Sequence, residues 1–155
     1  MSIAHVLGFP RIGANRELKK ALEAYWKGES TQTELQETGY TLRLRHWEAQ
    51  HKAGMDFVTV GDFSFYDHVL DASALLGVVP PRFDWHKGEV DLDTYFRMAR
   101  GAAPTGSTVP ACEMTKWFDT NYHYLMPEFA PEQSFRISTS KLFNEVAEAR
   151  ALGFP

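Results

Sequence analysis

The sequence predicts an α/β fold in which short buried strands alternate with amphipathic helices. Three apolar runs, rich in β-branched and aromatic residues, have the composition of buried strands and occupy residues 3–8, 56–61 and 112–118. Helical segments lie between them, and this alternation is typical of parallel strands joined by right-handed crossovers. Three core strands are few for 155 residues, so we expect the chain to form part of a larger fold.

The first helix is predicted from about Arg16 to Lys27. Asn15 is its expected cap, and Gly28 is expected to end it. The apolar residues of this segment recur at the spacing of one helical face: Leu18, Ala21, Leu22, Tyr25 and Trp26. A second, longer helix should follow, because Thr31 and Glu34 have the spacing of a capping box.

The later elements are predicted from their caps and stops. The second helix should run to about Lys52 and stop at Gly54. Further helices are expected over 67–77 with Gly77 as the stop, over 91–100 with Asp91 or Asp93 as the cap, and from a Ser138 or Thr139 cap to Gly153. Between them we expect an aromatic-rich loop over 119–132 and a short extended piece over 133–138.

Composition and charge exclude several classes of function. The chain is 44% hydrophobic and 14% aromatic, which predicts a packed core rather than a disordered tail. A net charge of −4 and a pI of about 5.8 argue against a nucleic-acid or membrane-surface binder, which would be basic. The single cysteine, Cys112, fits a reducing compartment, and the sequence shows neither a membrane span nor a secretory signal. We therefore expect a cytoplasmic protein.

Three cations near the start of the first helix form a candidate anion site. Arg16, Lys19 and Lys20 lie at i, i+3 and i+4 and therefore share one face of the helix. The amino end of a helix carries partial positive charge, so cations there are unfavourable unless an anion binds between them. The alternative to an anion site is a solvated helix face, and the residues alone support the two interpretations equally.

Two other side chains are candidates at the ends of predicted strands. Lys116 lies inside the apolar run MTKWF, where it would either reach the sheet edge or point inward to an anionic partner. Asp62 follows the second strand, a position from which such folds draw site residues, but it could also cap the next helix. Asp67 and His68 are adjacent on a helix and do not face each other, so His68 is interpreted as structural.

The sequence shows no spacing typical of metal ligands or phosphate loops. Its six histidines and one cysteine contain no HExxH, CxxC or His-x-Cys pattern, so we do not expect a zinc site built by this chain alone. The glycines form neither GxGxxG nor the P-loop pattern. From the residues alone, the prediction is a partial α/β domain that binds a small anion.

Several stretches resemble one protein family: HVLGFPRIGANRELKKALEAYW, GDFSFYDHVL, APTG and EMTKWFDTNYHYLMPEF. The chain resembles the amino-terminal part of the cobalamin-independent methionine synthases, the 5-methyltetrahydropteroyltriglutamate–homocysteine methyltransferases. The resemblance runs along nearly all of the chain and includes rare tetrads such as TKWF and NYHY. It implies that residues 1–155 form the first part of an amino-terminal (β/α)8 (TIM-type) barrel, which is incomplete in this chain.

The resemblance also implies a reaction and a site. Members of the family have two barrels, and the carboxyl-terminal barrel, which is expected to be absent from this chain, holds zinc and activates L-homocysteine as a thiolate. No cobalamin is expected. The methyl donor, 5-methyltetrahydropteroyltri-L-glutamate, would place its glutamate tail at Arg16, Glu17, Leu18 and Lys19, with Lys116 as a further contact. Lys20 and Asp62 are additional candidates from the residues alone.

No catalytic residue is expected in this chain, which should be inactive in methyl transfer without the zinc-binding barrel. Two alternatives stay open. The first is a stand-alone module that binds small polyanions, and the second is an interaction fragment that pairs its open sheet edge with another copy or with the missing barrel. An unpaired parallel edge after the third strand is expected to favour self-association. No nucleic-acid or membrane partner is expected.

Overall fold

Helices make up most of the regular structure in residues 2–154, the part of the chain that this computed structural model describes. These residues contain five α-helices and one two-stranded sheet, which makes the fold α/β as predicted. In chain order the elements are α1 (Glu17–Trp26), α2 (Gln32–Lys52), α3 (His68–Leu75), a 3-10 turn (Pro81–Phe83), α4 (Leu92–Arg100), β1 (Met114–Lys116), β2 (His123–Leu125) and α5 (Lys141–Ala151). The chain divides into a first unit (Met1–Phe65 with Leu142–Pro155) and a second unit (Tyr66–Lys141).

The start and end of α2 confirm the predicted capping box and stop. The Glu34 backbone N–H donates to the Thr31 hydroxyl oxygen at 3.2 Å, and the Thr31 N–H donates to the Glu34 carboxylate at 2.7 Å. The helix ends at Lys52, and Gly54 follows with φ +79°. Both signals are local in the chain, which is why the sequence predicts them well.

The start of α1 differs from the prediction. Asn15 is not the cap: the residue before the helix is Arg16, which adopts the left-handed conformation (φ 60°, ψ 35°) and makes no side-chain capping bond. The apolar face is confirmed, because Leu18, Leu22 and Tyr25 are all buried. The helix is therefore positioned by its apolar face, while its amino end is held by other contacts.

The caps of the later helices are confirmed in part. Asp91, rather than Asp93, caps α4, accepting a hydrogen bond from the Thr94 N–H at 2.7 Å. The last helix begins at Lys141, later than a cap at Ser138 or Thr139 would require. The Ser138 hydroxyl instead donates to the Arg136 carbonyl oxygen at 3.2 Å.

Residues 3–8 and 56–61 lie side by side but form no sheet ladder. The Asp56 N–H donates to the Ala4 carbonyl at 2.9 Å, the Thr59 hydroxyl donates to the Val6 carbonyl, and the Phe9 N–H donates to Asp62 Oδ2 at 2.9 Å. The partners advance together along both segments, so the two run in the same direction, as parallel strands would. Side chains supply most of these bonds, and for that reason the predicted strands are not observed as such.

The third predicted strand is wrong in both length and partner. Only Met114–Lys116 is a strand, and it pairs antiparallel with His123–Leu125, inside the segment predicted to be a loop. The chain reverses through a tight turn in which Phe118 has φ 51° and the Trp117 N–H donates to the Tyr122 carbonyl. The described residues therefore contain no open parallel edge of the predicted kind. The barrel stays a prediction.

Gly8 allows the close approach of the two segments in the first unit. Its φ is +138°, and a Cβ atom there would lie 2.5 Å from the Cβ and Oδ2 atoms of Asp62. Gly28 also has a positive φ, of +72°, but a Cβ atom there would meet nothing within 4 Å. Gly28 therefore reports the cost of a positive φ alone, whereas Gly8 combines a φ further from the left-handed region with a steric overlap.

We expect Gly8→Ala to lower the free energy of unfolding by about 2–4 kcal/mol and Gly28→Ala by about 1 kcal/mol, because only the first adds a clash to the unfavourable φ. Urea denaturation followed by circular dichroism measures both. Equal losses for the two variants would show that Gly8 and Asp62 are not packed as described.

Candidate anion-binding site

The three cations at the start of α1 lie on the solvent side of the helix. Arg16, Lys19 and Lys20 are all exposed, whereas Leu18 between them is fully buried. Lys19 forms an exposed ion pair with Glu23 at 3.6 Å. Neither Arg16 nor Lys20 has a carboxylate partner among the described residues. The three predicted residues are thus exposed cations within five positions of one another at the start of α1, and we call them the α1 cation cluster.

Glu17 lies within this cluster, but its carboxylate is held by the protein itself. Its Oε2 atom accepts a hydrogen bond from the Asn15 backbone N–H at 2.8 Å, and its Oε1 atom accepts one from Arg45 Nη1, also at 2.8 Å. The Arg45 guanidinium, together with backbone hydrogen bonds, lowers the pKa of Glu17 to about 2. Glu17 is therefore ionised at any physiological pH, and it reduces the net positive charge of the cluster.

The Leu18 side chain is not available to a ligand in this arrangement. It is completely buried, and its backbone N–H already donates to the Ile12 carbonyl oxygen at 3.1 Å. The family resemblance implies a role for Leu18 in the site. Since its side chain is buried, that role would be to hold α1 in position.

Asp62 lies between the two side-by-side segments of the first unit. Its Oδ2 atom accepts from the Phe9 N–H at 2.9 Å, and the Phe9 ring stacks on the His46 ring at a centroid distance of 4.9 Å. Burial lowers the pKa of His46, and the nearby Asp62 charge opposes that shift. The alternative in which Asp62 caps the next helix is wrong, because Asp67 caps α3.

Lys116 belongs to the second unit and is exposed at the end of β1, in register with His123 on β2. It therefore points to solvent, as in the edge alternative, and not into a covered sheet. Asp67 holds the hairpin that carries it: the carboxylate accepts from the Tyr122 hydroxyl at 2.7 Å and from the Leu125 N–H at 3.2 Å. The same carboxylate caps α3 by accepting from the Leu70 N–H at 2.9 Å.

His68 is exposed at the first position of α3. The Asp67 carboxylate bonds to the α3 cap and to the hairpin, and no hydrogen bond or ion pair to His68 is seen among the described residues. The structural interpretation of His68 stays a prediction.

The sequence gives no signal for one ionic cluster in the second unit. Arg82 donates to Glu128 Oε1 at 2.6 Å, to the Pro110 carbonyl at 2.8 Å, and to the Cys112 sulfur at 3.7 Å. Burial raises the pKa of the Cys112 thiol to about 11, and the Glu128 charge adds to that shift. Arg82 and Glu128 are 46 residues apart in the chain, so no local pattern links them. The thiol is protonated at neutral pH, which makes it a poor nucleophile.

The described residues offer no group of three or more His, Cys, Asp or Glu side chains that could hold a metal ion. No helix within residues 2–154 is long and apolar enough to cross a membrane.

Comparison with known families places the chain. The family described as "Cobalamin-independent synthase, N-terminal domain" matches residues 3–155, nearly the whole sequence. The chain belongs to this family. Membership confirms the resemblance seen in the amino-acid sequence, and the family's name agrees with the expectation that cobalamin is not used.

Several relatives are 5-methyltetrahydropteroyltriglutamate–homocysteine methyltransferases. The chain is 60% identical over 155 residues to the protein of that name from Aeromonas salmonicida. It is 61% identical over 147 residues to the one from Syntrophotalea carbinolica and 60% identical over 152 residues to the one from Photorhabdus laumondii. These alignments cover 95–100% of this chain but only 19–20% of the relatives. The chain thus spans about a fifth of their length.

The lowered pKa of Glu17 predicts how the stability of the folded chain depends on pH. The pKa of Glu17 is lower in the folded chain than in the unfolded chain, where a glutamate titrates near 4.3. The ionised carboxylate therefore stabilises the folded chain above that pH, and this stabilisation is lost as the pH falls toward 2. We expect an NMR titration of the Glu17 carboxyl carbon to show a midpoint near 2. Arg45→Met should raise that midpoint, because the guanidinium is the largest cause of the shift. A midpoint near 4.3 in the unmodified chain would contradict the described contacts.

Proposed function

We propose that this chain is the amino-terminal part of a methyltransferase that transfers the methyl group of 5-methyltetrahydropteroyltri-L-glutamate to L-homocysteine, giving L-methionine. The chain's own contribution is to bind the glutamate tail of the methyl donor. One observation carries this proposal: an exposed cation cluster stands at the start of α1 in a chain whose relatives are named for a triglutamate substrate.

The chemistry of the tail suits the α1 cation cluster. A triglutamate chain carries several carboxylates in a flexible row, and each can pair with a separate cation. Arg16 can hold one carboxylate through two parallel hydrogen bonds, whereas Lys19 and Lys20 act as point charges that adjust to the ligand. The partial positive charge at the amino end of α1 adds to the attraction.

Binding by Lys19 requires only a weak contact to be released. Its present partner, Glu23, lies one helical turn further along α1, and both side chains are about half exposed. Ion pairs of this type stabilise a helix by about 0.3–0.5 kcal/mol. A tail carboxylate that also interacts with Arg16 would therefore replace Glu23 readily.

Lys116 is proposed as a further contact of the tail, on the strength of the family resemblance and of its exposed position on β1. Glu17 and Leu18 belong to the same proposed site, but the one is held by Arg45 and the other is buried, so neither side chain reaches a ligand without rearrangement. Asp62 is a carboxylate already bonded to Phe9 and is the weakest candidate for an anionic ligand.

The methyl transfer itself is proposed to require parts of the enzyme outside this chain. Zinc and L-homocysteine would be held there, as the family resemblance implies. The buried, protonated thiol of Cys112 is no substitute for an activated thiolate. A cytoplasmic location is proposed with the same reaction, and a free, reduced cysteine fits that compartment.

The alternative functions rest on narrower grounds. A stand-alone polyanion-binding module would use the same α1 cation cluster and differs only in having no methyl-transfer partner. Self-association stays a prediction, but the predicted parallel edge cannot mediate it within the described residues. The outer sides of the β1–β2 hairpin are the only unpaired strand edges there.

The proposal predicts a selective loss when Lys116 is removed. In the complete enzyme that carries this chain, Lys116→Ala should raise KM for the triglutamyl donor by about three- to tenfold and leave KM for the monoglutamyl donor nearly unchanged, because only the longer tail offers the extra carboxylates. Lys87→Ala removes the same charge from an exposed position of the same unit and serves as the control. An equal loss with both donors would show that Lys116 does not bind the tail.

A further inference from the structure

The backbone of Arg16 is in a conformation that a residue with a side chain seldom adopts. Its φ of 60° and ψ of 35° place it in the left-handed region, directly before the first residue of α1. Its carbonyl oxygen nevertheless accepts the first bond of the helix, from the Lys20 N–H at 3.1 Å. The direction in which the Arg16 guanidinium leaves the helix is therefore set by this backbone geometry, which the surroundings must maintain.

The Glu17 carboxylate supplies that restraint. It reaches back across Arg16 to accept the Asn15 N–H at 2.8 Å, so it bonds to the residue on the other side of the left-handed position. On the opposite oxygen it is held by Arg45 of α2, also at 2.8 Å. The turn over Asn15–Glu17 is thus closed by one side chain, and that side chain is anchored to a separate helix.

Gly13 provides the space for this arrangement. A Cβ atom at Gly13 would lie 2.2 Å from Glu17 Oε2 and 2.9 Å from Leu42 of α2. Its backbone also takes part in the turn, because the Arg16 N–H donates to the Gly13 carbonyl at 3.1 Å. Any side chain at this position would push the carboxylate away from Asn15.

We propose that Glu17 and Arg45 are positioning residues for the tail-binding site, acting through the backbone of Arg16 and making no contact with the ligand. Glu17 fixes Arg16 in the left-handed conformation, and Arg45 keeps the Glu17 carboxylate in place. This inference rests on the proposed function, since it gives Arg16 a ligand to be aimed at. It assigns a role to Arg45, which lies 28 residues from Glu17 in the chain and outside every motif of the site.

The charge and exposure of the pair favour this role over direct binding. Glu17 is ionised and would repel a tail carboxylate, so contact with the ligand is unfavourable. Arg45 is half exposed, but its Nη1 atom already donates to Glu17 at 2.8 Å. Arg45→Met leaves Arg16, Lys19 and Lys20 in place but also removes a positive charge beside Glu17, whereas Arg45→Lys keeps that charge. The comparison of the two variants therefore separates geometry from charge.

The first experiment needs no ligand. In the labelled 155-residue chain, a strong intraresidue NOE between the amide and α protons of Arg16 reports the positive φ. We expect Arg45→Met to weaken this NOE and to shift the Arg16 and Asn15 amide signals, and Arg45→Lys to restore both in part. Lys52→Met is the matched control, because Lys52 is also on α2 and pairs only with Glu48 of the same helix. An unchanged Arg16 backbone in Arg45→Met would overturn the positioning role.

The second experiment is a double-mutant cycle on the binding of tri-γ-glutamate, measured by titration calorimetry. We expect Arg45→Met to weaken binding by about two- to fivefold in the native background and to have no further effect in an Arg16→Ala background. Additive effects would mean that Arg45 acts through its charge or directly on the ligand and not through Arg16, which overturns the proposal.

The two experiments separate the failure of this inference from the failure of the proposed function. If the native chain does not bind tri-γ-glutamate, and Arg16→Ala and Lys19→Ala change nothing, the tail-binding function falls and the role of the pair as a positioning device for that site falls with it. If the native chain binds and the Arg16 backbone is insensitive to Arg45, only the positioning role is wrong.

Discussion

The contact of the Glu17 carboxylate with the Asn15 backbone N–H is the interaction on which the candidate site depends. Arg16 supplies no side-chain cap, and the Glu17 carboxylate is the side chain that bonds across it, beside the backbone hydrogen bond from the Leu18 N–H to the Ile12 carbonyl. The contact requires a glycine at position 13, because any Cβ atom there would overlap the carboxylate. Arg45 holds the other carboxylate oxygen at 2.8 Å and lowers the pKa of Glu17. In our proposal the exposed cations bind the ligand, and Glu17 and Arg45 determine the geometry in which Arg16 is presented.

Carboxylates perform the same task elsewhere in the chain. Asp62 accepts the Phe9 N–H between two segments that would otherwise need a sheet ladder, and Asp67 accepts N–H groups from both α3 and β2. Hydrogen bonds to an ionised acceptor are stronger than neutral ones. They let short segments be held firmly with few backbone partners, which fits a chain with little regular sheet.

Much of the helical structure could be predicted from the sequence, because its signals are local. The Thr31–Glu34 capping box spans four residues, and the apolar face of α1 repeats within a few turns. The β-hairpin was missed because each strand has only three residues, too few for an alternating pattern to stand out among the aromatic residues of 119–132. The parallel strands were predicted from composition, but hydrogen bonds from side chains replaced the ladder there, and composition does not reveal such bonds.

The candidate site could likewise be predicted only where its signals are local in the chain. Helical spacing grouped Arg16, Lys19 and Lys20 on one face; the structure shows that all three are exposed. Arg16, however, lies before the helix in the left-handed conformation, so it does not follow the helical spacing. The left-handed backbone of Arg16 could not be predicted, since the residue that anchors it lies on another helix. Arg82 and Glu128 were likewise invisible because their pairing depends on tertiary contacts between distant segments. Local spacing therefore predicts which charged residues are neighbours along a helix, whereas tertiary contacts determine the backbone conformation and orientation of each residue.

The most direct test of the account is an NMR titration of the labelled 155-residue chain with tri-γ-glutamate. We expect the largest changes in amide chemical shift at residues 15–20, with the side-chain signals of Arg16 and Lys19 moving in the same saturable way. Tail binding at the α1 cation cluster would be contradicted if the ligand left the start of α1 unchanged while signals moved elsewhere, or if no signal moved at saturating ligand.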